Sequence, residues 1–325
     1  MMRYISLGLL FFLISCGKND PIQEQEVTED ASNSVKEVSS EAAQTEAEVP
    51  ITQELPQLPS FVDDEGYLVI KDPSLEDALR LFAQLPEGRI KLQDIKHLRT
   101  LKLSGKGLTD IDVLGELTNL EYLDLSDNQI VDIKHFLKLQ KLEELWLNNN
   151  KINDIDSLRY LNRLQVLEVN GNNVRKVKVD LEMDELERLS IAKNQLEDIE
   201  FIQNLSRIKY LDARKNSIIE VSKISKLKDL RSLYIGTNNI SDVIPIGELS
   251  QLKILHLARN QIQDITPLSR LTSLEEIELR NNQITDISSL FELSNLKKIH
   301  LWDNPVDPLK IAALNRAFPL VNVGF

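Results

Sequence analysis

Histidine and cysteine are the residue types in this sequence best suited to hold a transition metal. The four histidines are His97, His135, His256 and His300, and no two of them have the short spacing of a zinc site. The single cysteine, Cys16, rules out an internal disulfide and any cysteine-rich zinc site. We therefore expect neither a metal nor another cofactor in the folded part of the chain.

The motifs of the common catalytic centres are absent from the sequence. There is no GxSxG nucleophile motif, no HExxH zinc motif and no glycine-rich phosphate loop, and glycine occurs only 11 times in 325 residues. The net charge is -13, and no run of lysine and arginine offers what a nucleic acid requires. The sequence therefore predicts neither an enzyme with a small-molecule substrate nor a nucleic-acid-binding protein.

Tyrosine and tryptophan carry the chemistry in this chain that suits recognition, because each joins a large apolar surface to a polar tip. Six of them fall within residues 95–304. They are Tyr122, Trp146, Tyr160, Tyr210, Tyr234 and Trp302. Whether they can meet a partner depends on the face of the fold that each one occupies, and the repeat pattern of the chain predicts that face.

Asparagine recurs at intervals of 22 residues through this region. The positions are Asn128, Asn150, Asn172, Asn194, Asn216, Asn238, Asn260, Asn282 and Asn304. Apolar residues precede each asparagine by five and three positions and follow it by two and five, as in Leu123, Leu125, Ile130 and Ile133. A tenth copy, LKLSGKGL, has Lys106 in the asparagine position. This pattern resembles the leucine-rich repeat in its 22-residue bacterial form, as in the internalins.

The resemblance covers about 220 residues and implies an α/β solenoid over residues 95–304. Each repeat supplies one short strand, and ten strands pair in parallel as a single sheet on the concave face of a curved coil. Short helical turns lie on the convex face. The leucines point inward, and each repeated asparagine satisfies buried backbone groups where the chain turns after its strand. One coil buries too little apolar surface to order itself, so stability is expected only when coils stack.

Residues six, four and two positions before each asparagine point away from the core in this fold. They make up 30 of about 220 positions, so random placement would put about one of the six tyrosines and tryptophans there. Five are there, and Tyr160 is the exception. With two histidines of the same face they form the predicted partner-binding site, which is Tyr122, Trp146, Tyr210, Tyr234, His256, His300 and Trp302. The alternative is that these bulky residues only shield the sheet.

Charged residues divide the predicted site into groups. Asp124, Glu144 and Glu168 lie beside Tyr122 and Trp146, and this acidic patch would favour a partner that presents lysine or arginine. The second group is Tyr210, Tyr234, Ile254 and His256, with Arg188 and Arg214 nearby. His300 and Trp302 close the far end of the sheet.

Seven repeats carry an aspartate four positions after the repeated asparagine position. They are Asp110, Asp132, Asp154, Asp198, Asp242, Asp264 and Asp286. We expect these carboxylates to cap the short helical turns, because acids spaced one per coil do not supply the clustered ligands that calcium needs. The coil VRKVKVDLEMDEL has Lys176 at this position instead, and its back wall is expected to be irregular.

The ends of a solenoid expose its core and need lids. In an N-terminal cap, 61–94, the segment DPSLEDALRLFAQLP predicts a helix that begins after its first aspartate and places Leu75, Leu79 and Phe82 on one face. In a C-terminal cap, 305–325, the segment DPLKIAALNRAFP repeats the device.

The N-terminal residues predict export and anchoring. In residues 1–15, Arg3 precedes an apolar run that is too short to cross a bilayer, which is typical of a signal peptide. The sequence LISC at its end resembles the lipobox of bacterial lipoproteins, which implies a covalent lipid on Cys16 and attachment to a membrane. Residues 16–60 are acidic and contain no aromatic residue, so we expect a disordered linker.

Together these features predict a lipid-anchored, extracytoplasmic protein of a bacterial cell envelope, in the outer membrane if the cell has one. The predicted activity is to bind a macromolecule, above all a protein, on the concave face. The resemblance to internalins implies an adhesin or host-contact role. Two alternatives stay open, which are an envelope scaffold that organises the cell's own proteins or peptidoglycan, and a regulatory subunit that binds an enzyme.

Overall fold

A computed structural model describes residues 55–178, 181, 183–319 and 321–324. The predicted signal peptide, the lipid on Cys16 and most of the predicted linker lie outside the described residues. Residues 55–60 have no regular secondary structure, and the carbonyl of Pro59 accepts a hydrogen bond from Lys138 Nζ at 3.1 Å.

The repeats form one parallel sheet in which each strand pairs with the next one along the chain. The strands are β1 (Thr100–Lys102), β2 (Tyr122–Asp124), β3 (Glu144–Trp146), β4 (Val166–Glu168), β5 (Arg188–Ser190), β6 (Tyr210–Asp212), β7 (Ser232–Tyr234), β8 (Ile254–His256), β9 (Glu276–Glu278), β10 (Lys298–His300) and β11 (Asn322–Gly324). The first ten are the strands that the repeat predicts, so the solenoid prediction is confirmed. The eleventh lies in the C-terminal cap and extends the sheet by one strand.

The pairing register places equivalent residues of successive repeats side by side. Leu101 pairs with Leu123, Leu123 with Leu145, and Leu145 with Leu167. All four side chains are fully buried. The residues on either side of each point to the opposite face of the sheet, and all of them except Glu168 are more exposed. Burial of the middle residue in every repeat strand therefore gives one continuous core along the solenoid.

Short 3-10 turns form the side opposite the sheet in eight coils of the described chain. They span Asp112–Glu116, Lys134–Lys138, Asp156–Tyr160, Glu200–Asn204, Ser222–Lys226, Ile246–Glu248, Thr266–Arg270 and Ser288–Glu292. The coil between β4 and β5 shows no such turn among its described residues, as its departure from the repeat pattern predicts. There Lys178 binds the aspartates of the preceding coil, with its Nζ 2.8 Å from Asp154 Oδ2.

The repeated asparagines bridge neighbouring coils as predicted. Asn150 Nδ2 donates to the carbonyls of Leu125 and Leu147 at 3.0 and 3.1 Å, and its Oδ1 accepts from the amide of Ile130 at 3.0 Å. The same set of bonds recurs at the other asparagine positions, as at Asn194. These side chains therefore satisfy backbone groups that the sharp turn would otherwise leave buried and unpaired.

All seven predicted aspartates hold the start of a turn, so the capping prediction is confirmed. Each carboxylate accepts from the amide two residues later, as Asp154 does from Asp156 at 2.8 Å and Asp264 from Thr266 at 2.8 Å. The other five bonds are those of Asp110, Asp132, Asp198, Asp242 and Asp286. Because each carboxylate accepts from the amide two residues later, the motif is an Asx-turn. It leads directly into the 3-10 turn at six of the aspartates, whereas the turn after Asp242 begins at Ile246.

Helices close both ends of the array. The N-terminal cap contains α1 (Pro73–Ala83) and α2 (Leu92–Ile95), and the C-terminal cap contains α3 (Pro308–Ala317). Asp72 caps α1 by accepting from the amides of Ser74 and Leu75, and its second oxygen accepts from Thr109 in the first repeat. The carboxylate thereby joins the cap helix to the array.

The predicted burial of one residue of the cap face is wrong. Leu75 and Leu79 are fully buried, but Phe82 is 36% exposed and Ala78 completes the buried face instead. Phe82 lies in the last turn of α1, where the neighbouring Ala83 packs against the core instead. Within the described part of the chain, no helix combines the length and apolar character that a membrane crossing needs.

Candidate functional site

The predicted site residues lie on the outward side of the strands, which we call the sheet face. Tyr122, Trp146, Tyr210 and Tyr234 are half-buried there, as are His256 and His300, and Trp302 is 44% exposed. The inward residues between them, such as Leu145 and Leu233, are fully buried. None of the site residues has entered the core, so the alternation on which the site depends is present.

Three ring side chains form a continuous row across strands β6, β7 and β8. The rings of Tyr210 and Tyr234 have centroids 5.2 Å apart. Tyr234 and His256 are direct cross-strand neighbours, and their rings meet edge to face at 4.6 Å. Spacings of this size are those of favourable aromatic pairs, so the row is a packed unit before any partner arrives.

Arginines fix the two tyrosines from one side. The guanidinium carbon of Arg188 is 3.8 Å from the ring centroid of Tyr210, and that of Arg214 is 5.1 Å from the centroid of Tyr234. Arg214 also holds Asp212 through two bonds, Nε to Oδ1 at 2.9 Å and Nη2 to Oδ2 at 2.6 Å. Burial raises the pKa of both tyrosines above the ordinary value, so both remain protonated phenols that can donate a hydrogen bond.

The row continues into charged residues of β9 and β10. His256 Nε2 lies 2.9 Å from Glu276 Oε1, and Lys298 Nζ lies 3.0 Å from the other oxygen of that carboxylate. Burial on its own would raise the pKa of Glu276, but the bonds to Lys298 and His256 outweigh burial and lower it. Glu276 is therefore an anion that orients the imidazole of His256 on the sheet face.

The far end of the face is closed by Trp302 and His300, whose ring centroids are 5.9 Å apart. His300 Nδ1 lies 2.9 Å from Glu278 Oε2. Gly324 of β11 packs against both rings, because a Cβ at this position would collide with Trp302 Nε1 and approach His300 Cδ2 to 3.1 Å. A side chain at this position would therefore have to displace the Trp302 ring.

The group at the other end of the face is separate from this row. Trp146 Nε1 donates to Glu144 Oε2 at 3.3 Å, and the pairing register puts Trp146 between Asp124 and Glu168. The pKa of Tyr122 is raised, first by burial and then by the charges of Asp124 and Glu144. Strands β4 and β5 lie between this group and the aromatic row, so the face carries two patches instead of one.

The acidic patch near Trp146 is smaller than the sequence predicts. Glu168 is buried, and its Oε1 accepts from Arg188 Nε at 2.7 Å. Its charge is therefore used inside the protein, and only Asp124 and Glu144 remain to attract a basic partner.

A recess at the carboxyl ends of β5 to β9 is absent from the sequence predictions. We call it the basic recess; its volume is about 530 Å³. Its lining is Ala192, Lys193, Arg214, Lys215, Gly236, Thr237, His256, Ala258, Arg259, Glu278 and Arg280. Nine of these residues come from two columns of the repeat, the positions two and one before the asparagine, and His256 and Glu278 lie four positions before it. The small residues of the first column and the basic residues of the second could have predicted the recess from the sequence. A search for aromatic residues does not find either column.

The remaining histidines are not part of the face. His97 is exposed, and His135 is buried on the side of the turns, where its Nδ1 lies 2.7 Å from Asp112 Oδ1 and its ring meets Phe61 at 4.9 Å. Over the ranges that the structure covers, no group of three or more His, Cys, Asp or Glu residues could hold a metal ion.

Comparison with known proteins agrees with this architecture. The family model described as leucine rich repeats (2 copies) matches residues 96–138, 118–160, 140–179, 250–292 and 272–312. The crystal structure of an internalin, inlF, from Listeria monocytogenes is similar, with 28% sequence identity and a TM-score of 0.54 over 83% of this chain and 92% of that chain. The chain is therefore a leucine-rich-repeat solenoid, and it is similar in fold to an internalin.

Two further solved structures show the same fold. A leucine-rich-repeat protein of Leptospira interrogans is 23% identical with a TM-score of 0.57, over 72% of this chain and 74% of that chain. The functional domain of InlJ from Listeria monocytogenes is 22% identical with a TM-score of 0.60, over 78% of this chain and 59% of that chain. A comparison with curated protein sequences gave no match.

Proposed function

We propose that this leucine-rich-repeat chain is a protein-binding module that recognises its partner on the sheet face, through a preformed surface and with no covalent step. The observation that carries this proposal is the row Tyr210, Tyr234 and His256, packed ring to ring and half-exposed on the sheet. Aromatic residues held in this way are the residue types that dominate binding hot spots.

The charged frame around the row supports the same function. Arg188 and Arg214 contact the tyrosine rings and are themselves held by the buried carboxylates of Glu168 and Asp212. Side chains that are already fixed lose little conformational entropy when a partner arrives, so more of the contact energy appears as affinity. The alternative that these rings only shield the sheet does not require such a frame.

The location that we propose is the bacterial cell envelope, with the chain exported and anchored through a lipid on Cys16. The support is the lipobox-like LISC sequence and the likeness to an internalin. An adhesin or host-contact role follows from an outward orientation, whereas an inward orientation suits a scaffold for the cell's own envelope proteins or peptidoglycan. A regulatory subunit of a cytosolic enzyme is disfavoured by the same N-terminal sequence.

Crosslinking tests the binding face. A photoreactive residue is placed at position 234 of the full chain and, as the matched control, at position 226, which is exposed on the turn side of the preceding coil. We expect a specific protein adduct from position 234 and none from position 226. Equal adducts from both positions, or none from position 234, would contradict the proposal.

Two simpler measurements test the location. Labelling with a fatty-acid analogue should be lost in Cys16→Ser, and the variant should leave the membrane fraction. Added protease should cleave the chain on intact cells if it is an adhesin, and only after the envelope is opened if it is an internal scaffold.

A further inference from the structure

The basic recess concentrates positive charge that the protein itself does not neutralise. Five cationic side chains line it, which are those of Lys193, Arg214, Lys215, Arg259 and Arg280, against the single carboxylate of Glu278. Arg214 is paired with Asp212, and Arg280 Nε lies 3.7 Å from Glu278 Oε1. The other three have no ion pair among the described residues. Lys193 and Lys215 lie in successive coils, with backbones only about 4.8 Å apart, where like charges repel, and Arg259 lies two coils further on.

The backbone of the recess shows that local stability did not select these residues. Lys193, Lys215, Thr237 and Arg259 all have φ between 54° and 59°, in the left-handed region. The equivalent positions of the other six coils hold the residue types that adopt this region readily, which are Gly105, Asp127, Asn149, Gly171, Asn281 and Asp303. The four consecutive exceptions all line the recess. Strained positions of this kind cluster at binding sites.

A buried donor also lies at the recess without a partner. The Nε atom of Arg280 is inaccessible to solvent and has no hydrogen-bond acceptor in the described structure. An unpaired buried donor is unfavourable, so an acceptor entering the recess would relieve it. This observation is independent of the backbone strain, and it also points to an anionic or oxygen-rich ligand.

The shape of the recess limits the length of its ligand. Ala192, Gly236 and Ala258 are the small residues of its lining, and a Cβ on Gly236 would lie 2.8 Å from the carbonyl oxygen of Ala258. Four strand spacings amount to roughly 19 Å, which an extended peptide covers with about six residues. The column of basic residues ends at Gly171 on one side and at Asn281 and Asp303 on the other. A long polyanion would run past the basic residues and meet Asp303.

We infer that the basic recess binds a short, extended, acidic segment of the protein partner, with carboxylates directed at Lys193, Lys215 and Arg259. This inference rests on the proposed function, because it assigns the chemistry of one part of the partner that the sheet face receives. His256 belongs both to the recess and to the aromatic row, so a segment in the recess is continuous with contacts to Tyr234.

The test is a titration of the full chain with a labelled peptide of about ten residues that contains four glutamates. A second peptide has glutamine at the same four positions. The recess variant is Lys193→Asn, Lys215→Asn and Arg259→Asn together, because asparagine removes the charge and tolerates the left-handed backbone. The matched control variant, Arg207→Asn, Lys226→Asn and Arg270→Asn, removes the same charge from exposed positions outside the recess.

We expect the acidic peptide to bind the wild-type chain and the control variant alike, and to bind the recess variant about tenfold more weakly or worse. Binding should also weaken between about 50 and about 300 mM salt, and the glutamine peptide should not bind. The melting temperature of the recess variant should equal or exceed that of the wild type, because the backbone strain is relieved.

Equal binding by the recess variant, binding of the glutamine peptide, or no binding of the acidic peptide would overturn the inference. So would tighter binding of a sulfated polysaccharide or a single-stranded oligonucleotide at the same three residues, since the ligand would then be a polyanion. Crosslinking from position 234 is independent of this titration. Its failure therefore counts against the binding face, and failure of the titration alone counts against the acidic segment.

Discussion

The guanidinium of Arg188 lies over the ring of Tyr210, with its central carbon 3.8 Å from the ring centroid. The same side chain donates through Nε to Glu168 Oε1 at 2.7 Å. The carboxylate keeps the arginine in place, and the arginine keeps the tyrosine in place. The pKa of Arg188 is raised, because the bonds to Glu168 outweigh burial, which alone would lower it. The position of Tyr210 in the aromatic row therefore depends on the buried carboxylate of Glu168, two strands away.

Replacement of Arg188 by alanine should destabilise the protein by about 1–2 kcal/mol, because it leaves the buried carboxylate of Glu168 without its counter-ion. That corresponds to a fall in melting temperature of about 2–6 °C in thermal unfolding. The double variant with Glu168→Gln is the control, and it should recover most of the loss since no buried charge remains. An equal loss in the single and the double variant would show that the ion pair does not hold Glu168 in place.

Trp146→Ala and Trp302→Ala test the two ends of the sheet face. Both side chains lie outside the core, so each variant should fold with a melting temperature within about 2 °C of the wild type. Loss of a hot-spot tryptophan should weaken partner capture by about 2 kcal/mol, or roughly thirtyfold, in a pull-down or a binding titration. Val131→Ala, an exposed apolar residue on the other side of the coil, is the matched control. Unchanged capture in both tryptophan variants would show that the site lies elsewhere.

The period of the repeat was sufficient to predict most of the fold. The residues equivalent to Leu145 and Asn150 have equivalent neighbours in each repeat. One pattern therefore predicts the strand, the buried column and the bridging asparagine together. The row of Tyr210, Tyr234 and His256 was predictable for the same reason, because outward positions of adjacent repeats become spatial neighbours.

The repeat pattern does not predict features that are confined to one coil, or features that arise where residues with small side chains leave space. The strand at Asn322–Gly324 carries no repeat signature, and it forms because the backbone of β10 offers an unpaired edge. The sequence predicts Glu168 in an acidic patch, but side-chain geometry pairs its carboxylate with Arg188 inside the protein instead of leaving it free for a partner. The basic recess exists because the small residues Gly236 and Ala258 leave space. A search of the sequence for large side chains that could bind a partner does not find such a space.

Asn194→Leu should lower the melting temperature. Its Nδ2 donates to the carbonyls of Val169 and Ile191, and its Oδ1 accepts from the amide of Val174, all at 3.0–3.1 Å. Leucine leaves these buried groups unpaired, which costs on the order of 3 kcal/mol and lowers the melting temperature by about 6 °C. Asn173→Leu, at an exposed position in the preceding coil, should have little effect. If the two variants have the same melting temperature, the bonds of the repeated asparagine do not contribute to stability.

The aspartates that start the turns should make the solenoid sensitive to acid. Hydrogen bonds from Thr266 lower the pKa of Asp264, and bonds from Lys310 and Ser288 lower that of Asp286. Burial would raise the pKa of Asp154, but its bonds to Lys178 and Asp156 lower it. A carboxyl whose pKa is lower in the folded state stabilises that state above its unfolded pKa of about 3.9, and the contribution disappears as the pH falls through the folded pKa. The melting temperature should therefore be level from pH 7 to about pH 5 and fall steeply below about pH 4.

Asp264→Ala separates the capping bond from general acid unfolding. At pH 7 it should lower the melting temperature by about 2 °C, which corresponds to the loss of one cap worth about 1 kcal/mol. The difference from the wild type should shrink as the pH falls from about 4 through the lowered pKa of Asp264, because the wild-type carboxyl becomes protonated over this range and its bonds to Thr266 weaken. Asp264→Asn is the control, since its amide oxygen still accepts from Thr266 at every pH, and it should lie close to the wild type at low pH. A difference between Asp264→Ala and the wild type that stays constant from pH 7 to about pH 3 would mean that the ionised carboxylate adds nothing to the cap.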